Sequence, residues 1–432
     1  MRVIDTHVNE HPVRLTIEDD LRRNRLTVFF RILLAIPHFI WVFLWSIAVF
    51  FVAIVTWVAT LATGAPPAGL HGFLARYIRY TLHLNAYLYL VTDPYPPFVG
   101  DPGTYPVDVE LPGPAQQVRW KTLLRIFLAV PALLLSATLA GAGVSVPAPR
   151  RGKTFSTGGG GALAFFCGFL GWFASLATGR MPKGLRDAGA YAVGYNAQVL
   201  AYLLFVTDRY PSADPTVLLE GLPRPEEHPV HLVGDAHDLR RSRLTVFFRL
   251  PLLIPHLVWL ALWTVLALLL GIVNYFATLI TGAPPRAFHR FFTAFVRYQL
   301  HVYAFGYLAA NPFPGFTGAP GVYPLDLTLP EEPQRQNRWK TAFRIFLAVP
   351  AWLVNAGLGW ALILSAVYTW FVALFTGAAP WGLRNLSAYA LRYGAQLNAY
   401  LYLVTDRYPH ASPLEGEDLP EPEPFEPELT AA

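Results

Sequence analysis

The run RLTVFFRILLAIPH at residues 25–38 returns as RLTVFFRLPLLIPH at 243–256. A second run, RWKTLLRIFLAVPA at 119–132, returns as RWKTAFRIFLAVPA at 338–351. All four place an arginine six residues before a proline: Arg31/Pro37, Arg125/Pro131, Arg249/Pro255 and Arg344/Pro350. A Thr-Gly pair follows in each (Thr63-Gly64, Thr178-Gly179, Thr281-Gly282, Thr376-Gly377), and each closes on Asp93, Asp208, Asn311 or Asp406. Proline to closing residue is 56 in repeats one, three and four, and 77 in repeat two, where residues 141–161 are an insertion. Self-similarity of this kind marks a repeat architecture. The repeats run over 1–98, 99–213, 214–316 and 317–412. Repeats one and three are most alike, as are two and four, which points to a duplicated two-repeat unit.

Composition says where such a chain resides. Of 432 residues, 54% are apolar and only 14% charged, against about 25% charged in soluble domains. Phe39–Ala62, Leu257–Ile280 and Ala351–Phe375 are uncharged runs of 24, 24 and 25 residues, and about 20 such residues span a bilayer core. A single cysteine, Cys167, excludes an internal disulfide framework. Residues 1–25 lack the short apolar core of a secretory signal. Residues 413–432 carry seven acids and no base and are expected to be disordered. The remainder is basic and suited to anionic headgroups.

Each apolar run is followed by a weaker, tyrosine-rich one: Leu70–Thr92, Leu185–Thr207, Ala287–Leu308 and Leu383–Thr405. Three of these hold an interior arginine (Arg79, Arg297, Arg392), which costs about 2.5–3.5 kcal/mol at a bilayer centre. They either cross with the help of partners or lie amphipathically in the interface. The long block from Val28 to Thr63 is read as a helix kinked at its proline, the rival being a hairpin turning near Ser46. Each repeat opens on an alternating stretch (HPVRLTIE at 11, YPVDVELP at 105, HPVHLVGD at 228, YPLDLTLP at 323), the pattern of a half-exposed strand. The expected fold is therefore an all-α membrane protein. It has four homologous repeats of about two membrane-embedded helices each, about eight in total, with short extramembrane β-strands opening each repeat.

A family resemblance is carried by RILLAIPH (31–38) and RIFLAVPA (125–132), by WVATLATG (57–64) and WFASLATG (172–179), by RYTLHLNAY (79–87) and RYGAQLNAY (392–400), and by the ending LVTDPYP (90–96). The sequence resembles the bacterial membrane domain described as domain of unknown function 4389, over about residues 11–412. That resemblance implies a multi-pass membrane protein and supplies no activity or catalytic residues. Repeat three departs from it at Ala310-Asn311, and repeat two by its insertion.

Arg31, Arg125, Arg249 and Arg344 sit on otherwise apolar helix starts. They are candidates for binding lipid or anionic headgroups through the guanidinium fork. Snorkelling anchorage and pairing with the closing aspartate are the other readings. Histidines recur in the odd repeats only: His38 with His256, His71 with His289 and His83 with His301. With Arg79, Arg297 and Arg392, the histidines His38, His83, His256 and His301 are the intramembrane polar candidates. They serve hydrogen bonding between helices, or a metal, haem or proton relay. No catalytic, metal-binding or nucleotide-binding motif is present, so neither enzyme activity nor a cofactor is expected. The partners expected are membrane lipids with anionic headgroups, not nucleic acid; self-association into a homo-oligomer stays open. The reading is a non-enzymatic scaffold or lipid-binding protein of the bacterial inner membrane, multi-pass with cytoplasmic termini by the positive-inside rule. The alternative is a transporter or channel for a small or lipophilic solute.

Overall fold

The computed structural model describes residues 11–141, 145–147, 154–156, 162–234 and 239–414. Most of the insertion and residues 415–432 of the tail lie outside the described residues. Repeat one comprises β1 (Arg14–Ile17), α1 (Arg25–Leu34), α2 (Ile36–Thr63) and α3 (Ala68–Leu88). Repeat two comprises β2 (Val107–Glu110), α4 (Arg119–Ala140), β3 (Ser145–Pro147), β4 (Thr154–Ser156), α5 (Leu163–Thr178) and α6 (Lys183–Leu203), followed by α7 (Pro215–Leu218). Repeat three has β5 (His231–Gly234), α8 (Arg243–Phe247), α9 (Arg249–Thr281) and α10 (Arg286–Gly306). Repeat four has β6 (Leu325–Thr328), α11 (Arg338–Ala342), α12 (Arg344–Thr376) and α13 (Trp381–Leu401).

The long blocks of repeats one, three and four are helices, not hairpins turning at their middle. Ser46 lies inside α2, and Pro255 and Pro350 lie inside α9 and α12. Each of these two prolines removes one intrahelical hydrogen bond without stopping the helix. One-residue breaks at Ala35, Phe248 and Phe343 precede these long helices. The side chains of Asn24, Ser242 and Asn337 cap the helices before those breaks. Each block ends at its Thr-Gly pair because the glycine takes the left-handed conformation, as at Gly64 with φ 85°. In repeat two α4 stops at Gly141, and a Cβ built there would lie 3.3 Å from that of Ala162. The insertion thus leaves and re-enters at one point of the block.

Four spans are long and apolar enough to cross a membrane: Arg25–Thr63, Arg119–Ala140, Arg249–Thr281 and Arg344–Thr376. Of the eight membrane-embedded helices expected, these four are the ones with the length and apolarity to cross among the described residues. The second helices α3, α6, α10 and α13 carry too much polarity, and much of that polarity is buried inside the protein.

The chain divides into two units, the first built on residues 11–225 with 350–364 and 410–414, the second on 226–349 and 365–409. In the first, β1 pairs antiparallel with β2, Arg14 opposite Glu110 and Ile17 opposite Val107. In the second, β5 pairs with β6, His231 opposite Thr328 and Gly234 opposite Leu325. The strands are thus shared between neighbouring repeats rather than among all four.

Sister repeats are joined reciprocally. The Gln117 amide donates to the carbonyl of Gly64 (2.8 Å), and the Arg23 amide to that of Gly179 (2.9 Å). The second unit repeats this with Gln336 to Gly282 (2.8 Å) and Arg241 to Gly377 (2.7 Å). The indoles of Trp57 and Trp172 donate to the carbonyls of Thr122 and Val28. Arg25 and Arg119 reach the last carbonyls of the sister block, Ala177 and Ala62, where a cation suits the helix dipole. Each Thr-Gly turn therefore abuts the start of its sister's first helix, so the first helices of a pair run in opposite directions.

Candidate functional site

The four arginines six residues before proline are 1–2% exposed. Arg31 donates to the carbonyls of Tyr87 and Thr92 and to Asp93 (2.6 Å), all at the far end of α3. Arg125 does the same with Tyr202 (2.8 Å), Thr207 (3.1 Å) and Asp208 (2.8 Å). Arg344 does it with Tyr400, Thr405 and Asp406 (2.8 Å), and Gln336 adds an acceptor at 2.7 Å. Each guanidinium also lies over an aromatic ring, at 4.2 Å for Tyr87, 4.7 Å for Tyr202, 4.2 Å for Phe305 and 4.3 Å for Tyr400. Arg249 keeps the carbonyls, Phe305 (2.6 Å) and Ala310 (2.5 Å). Its Nη1 and the Oδ1 of Asn311 have no hydrogen-bond partner among the described residues. In all four, the guanidinium turns inward onto the end of its own second helix, not outward to the surface.

What makes those carbonyls available is the backbone at the helix end. Leu90, Phe205, Leu308 and Leu403 all take positive φ, 60–62° in the first three and 65° in the last. A bulky residue there costs about 1–2 kcal/mol. The turn lets the Val91 amide reach back to Ala86 (2.9 Å) and turns the later carbonyls toward arginine.

A second set of polar groups lies where the second helices meet the sheets. Arg79 Nε is 2.8 Å from Asp108 Oδ1 on β2, and His83 Nε2 is 3.5 Å from the same oxygen. Arg297 Nε is 3.0 Å and His301 Nε2 3.1 Å from Asp326 Oδ1 on β6. Each carboxylate also accepts from the amide of Gly103 or Gly321 at 2.6 Å. Burial opposes ionisation of Asp108 and Asp326. The histidine and the surrounding amides, with Arg79 beside Asp108, nevertheless hold both carboxyls below the usual range. Tyr105 and Tyr323 cover the histidine rings at 4.8 and 4.7 Å.

The other candidates divide. His38 Nδ1 is 2.6 Å from the Tyr80 hydroxyl, and His256 Nδ1 is 2.8 Å from that of Tyr298. Phe98 and Phe316 stack on them at 4.2 and 4.3 Å. Arg392 is buried with its guanidinium 5.4 Å from the Tyr389 ring. At the position of His83 and His301 the even repeats hold Gln198 and Gln396, which donate to the carbonyls of Val13 (3.1 Å) and Val230 (2.9 Å), just before β1 and β5.

The matching arrangement of every repeat fixes the grouping. A family model described as Domain of unknown function (DUF4389) matches four times, at residues 25–100, 159–213, 243–317 and 338–412. The chain belongs to that family. Neither the curated proteins nor the solved structures hold a significant match to it. In this DUF4389 protein the matched segments leave out all four opening strands, and with them Asp108 and Asp326. Sequence reading had also passed over these two residues. Their signal was the acidic residue at the fourth position of the even openings, YPVD and YPLD, where the odd ones have Arg14 and His231.

Proposed function

We propose that this DUF4389 protein is a non-enzymatic scaffold and lipid-binding protein of the bacterial inner membrane. The carrying observation is how its surface is divided. The polar groups that could coordinate a solute are engaged inside the fold, whereas α1, α2 and α9 expose large apolar side chains along their length, such as Ile32, Phe43, Leu250 and Ile280. An exposed arginine followed by an exposed apolar residue opens each first helix: Arg25-Leu26, Arg119-Trp120, Arg243-Leu244 and Arg338-Trp339. That pairing suits the boundary between acyl chains and anionic headgroups.

Reconstitution in vesicles of zwitterionic lipid with a minor fraction of fluorescent phosphatidylglycerol tests the reading. Tryptophan-to-lipid energy transfer is expected to report anionic lipid enriched around the protein. The enrichment is expected to fall in the variant Arg25→Gln, Arg119→Gln, Arg243→Gln, Arg338→Gln, each charge near the surface contributing about 1 kcal/mol. Wild-type protein with no enrichment over bulk lipid would overturn it. The transporter reading draws on the largely buried Arg-Asp-His group of each unit, set between two repeats that run in opposite directions. It requires solute or ion flux that drops in a His83→Ala, His301→Ala variant.

A further inference from the structure

We propose that the long apolar helices of each unit lie in the plane of the membrane, embedded in one leaflet, with the two-stranded sheets in water. On this proposal the chain is anchored in a leaflet without being threaded through the bilayer. The inference rests on the membrane reading above and concerns how that membrane is engaged.

The first argument is length. Within the single helix α9, exposed apolar side chains run from Leu250 (73% exposed) to Ile280 (74%). Thirty residues at 1.5 Å make about 45 Å of apolar surface, so fitting a ~30 Å hydrocarbon core needs a tilt of about 48°, beyond the usual 0–40°. An upright helix would carry about 15 Å of apolar surface out of the hydrocarbon into the headgroup region. A helix lying in the leaflet has no such limit.

The second argument is the position of the sheet. The reciprocal hydrogen bonds relate repeats one and two by an approximate twofold. His71 at the start of α3 sits 3.3 Å from the Val206 carbonyl beyond the end of α6, so these helices also run oppositely. The sheet lies beside the middle of this pair, held by Arg79 to Asp108 and Gln198 to Val13. If the first helices stood upright, the twofold would lie in the membrane plane and the sheet at half depth. Yet that side carries exposed Glu18 and Glu110 and the pair Arg76–Asp101, whose side chains are 64% and 47% exposed. Each charge at the bilayer centre costs about 2.5–3.5 kcal/mol. With the helices flat, the twofold is normal to the membrane and all of these charges face water.

The third argument is that Arg25 and Arg119 cap opposite ends of the unit. Flat helices put both at the headgroup level of one leaflet, where cations meet anionic lipid.

Cysteine labelling of the full chain in sealed, oriented membrane vesicles decides the matter. Cys167 is fully buried, and a Cys167→Ala background serves equally well if native Cys167 reacts. One pair of single-cysteine variants, Arg22→Cys and Thr63→Cys, probes the two ends of the first block; Arg240→Cys and Thr281→Cys probe the third. All four positions are exposed. The proposal expects a membrane-impermeant maleimide to label both members of a pair from one and the same face, with labelling lost from the other. Members labelled from opposite faces, in protein that resists carbonate extraction, would overturn the proposal and leave the membrane reading standing. Protein released by carbonate overturns both.

Discussion

Asn311 breaks a pattern that three other repeats keep. Arg31, Arg125 and Arg344 each hold an aspartate as well as backbone carbonyls, whereas Arg249 holds carbonyls alone. Asn311→Asp restores the aspartate that the sister repeats hold against their arginine, where both Arg249 Nη1 and Asn311 Oδ1 have no partner among the described residues. It is expected to stabilise the protein by about 1 kcal/mol, a gain typical of one extra charge-assisted hydrogen bond, seen as a raised Tm in detergent. Removing a kept guanidinium has the opposite sign. Arg344→Leu leaves the Tyr400 and Thr405 carbonyls and Asp406 without their donor. The expected loss is about 3 kcal/mol, since breaking a buried pair strands its partner. Arg344→Lys recovers part of it, because an ammonium supplies charge without the planar fork. The sequence placed these arginines correctly on helix starts and included the aspartate as one partner. It did not reveal the carbonyls, because a backbone acceptor leaves no residue type to read.

Among the helices and strands, what repeats was legible and what pairs was not. The 56-residue spacing located both helices of every repeat, and the helix runs on past Pro255 and Pro350 because one lost hydrogen bond does not end a helix that is apolar for many turns. Alternation announced the opening strands, but a four-residue strand carries no information on its partner. Nor does any residue type announce the direction of the first helices, since Gln117 to Gly64 and Arg23 to Gly179 are contacts between backbones far apart in sequence. The insertion gives a direct test of the helix register. Gly141 and Ala162 already abut, so deleting residues 141–161 joins α4 to α5 at the spacing of the other repeats. The shortened chain is expected to fold with a Tm at or above that of the parent, closing a loop whose ordering costs entropy. A large drop would mean that the insertion supports the break between the two helices.

The two units answer acid alike, because each buries a histidine three residues before its first strand. His11 and His228 are 3% and 2% exposed, and burial pulls each from 6.5 to about 4, with Arg209 or Arg407 and Arg392 adding to the effect. The even repeats hold Tyr105 and Tyr323 there, so the site accepts an aromatic ring that never gains a proton. Above pH 6.5 the histidine is neutral in both the folded and the unfolded chain and contributes no pH dependence. Between 6.5 and about 4 the unfolded chain binds the proton and the folded one does not, so stability falls as pH falls. By pH 4 the loss is on the order of 3 kcal/mol per histidine, at 1.36 kcal/mol per pH unit. Asp108 and Asp326 work further down. Their depressed folded values give stability that is present above the ordinary carboxylate range and is lost only as pH falls through those values. Melting curves in detergent from pH 7 to 4 are therefore expected to slope downward, and a His11→Tyr, His228→Tyr variant to lose the part of that slope due to two protons. A slope unchanged in the variant would mean that both rings take up their protons without leaving the folded state.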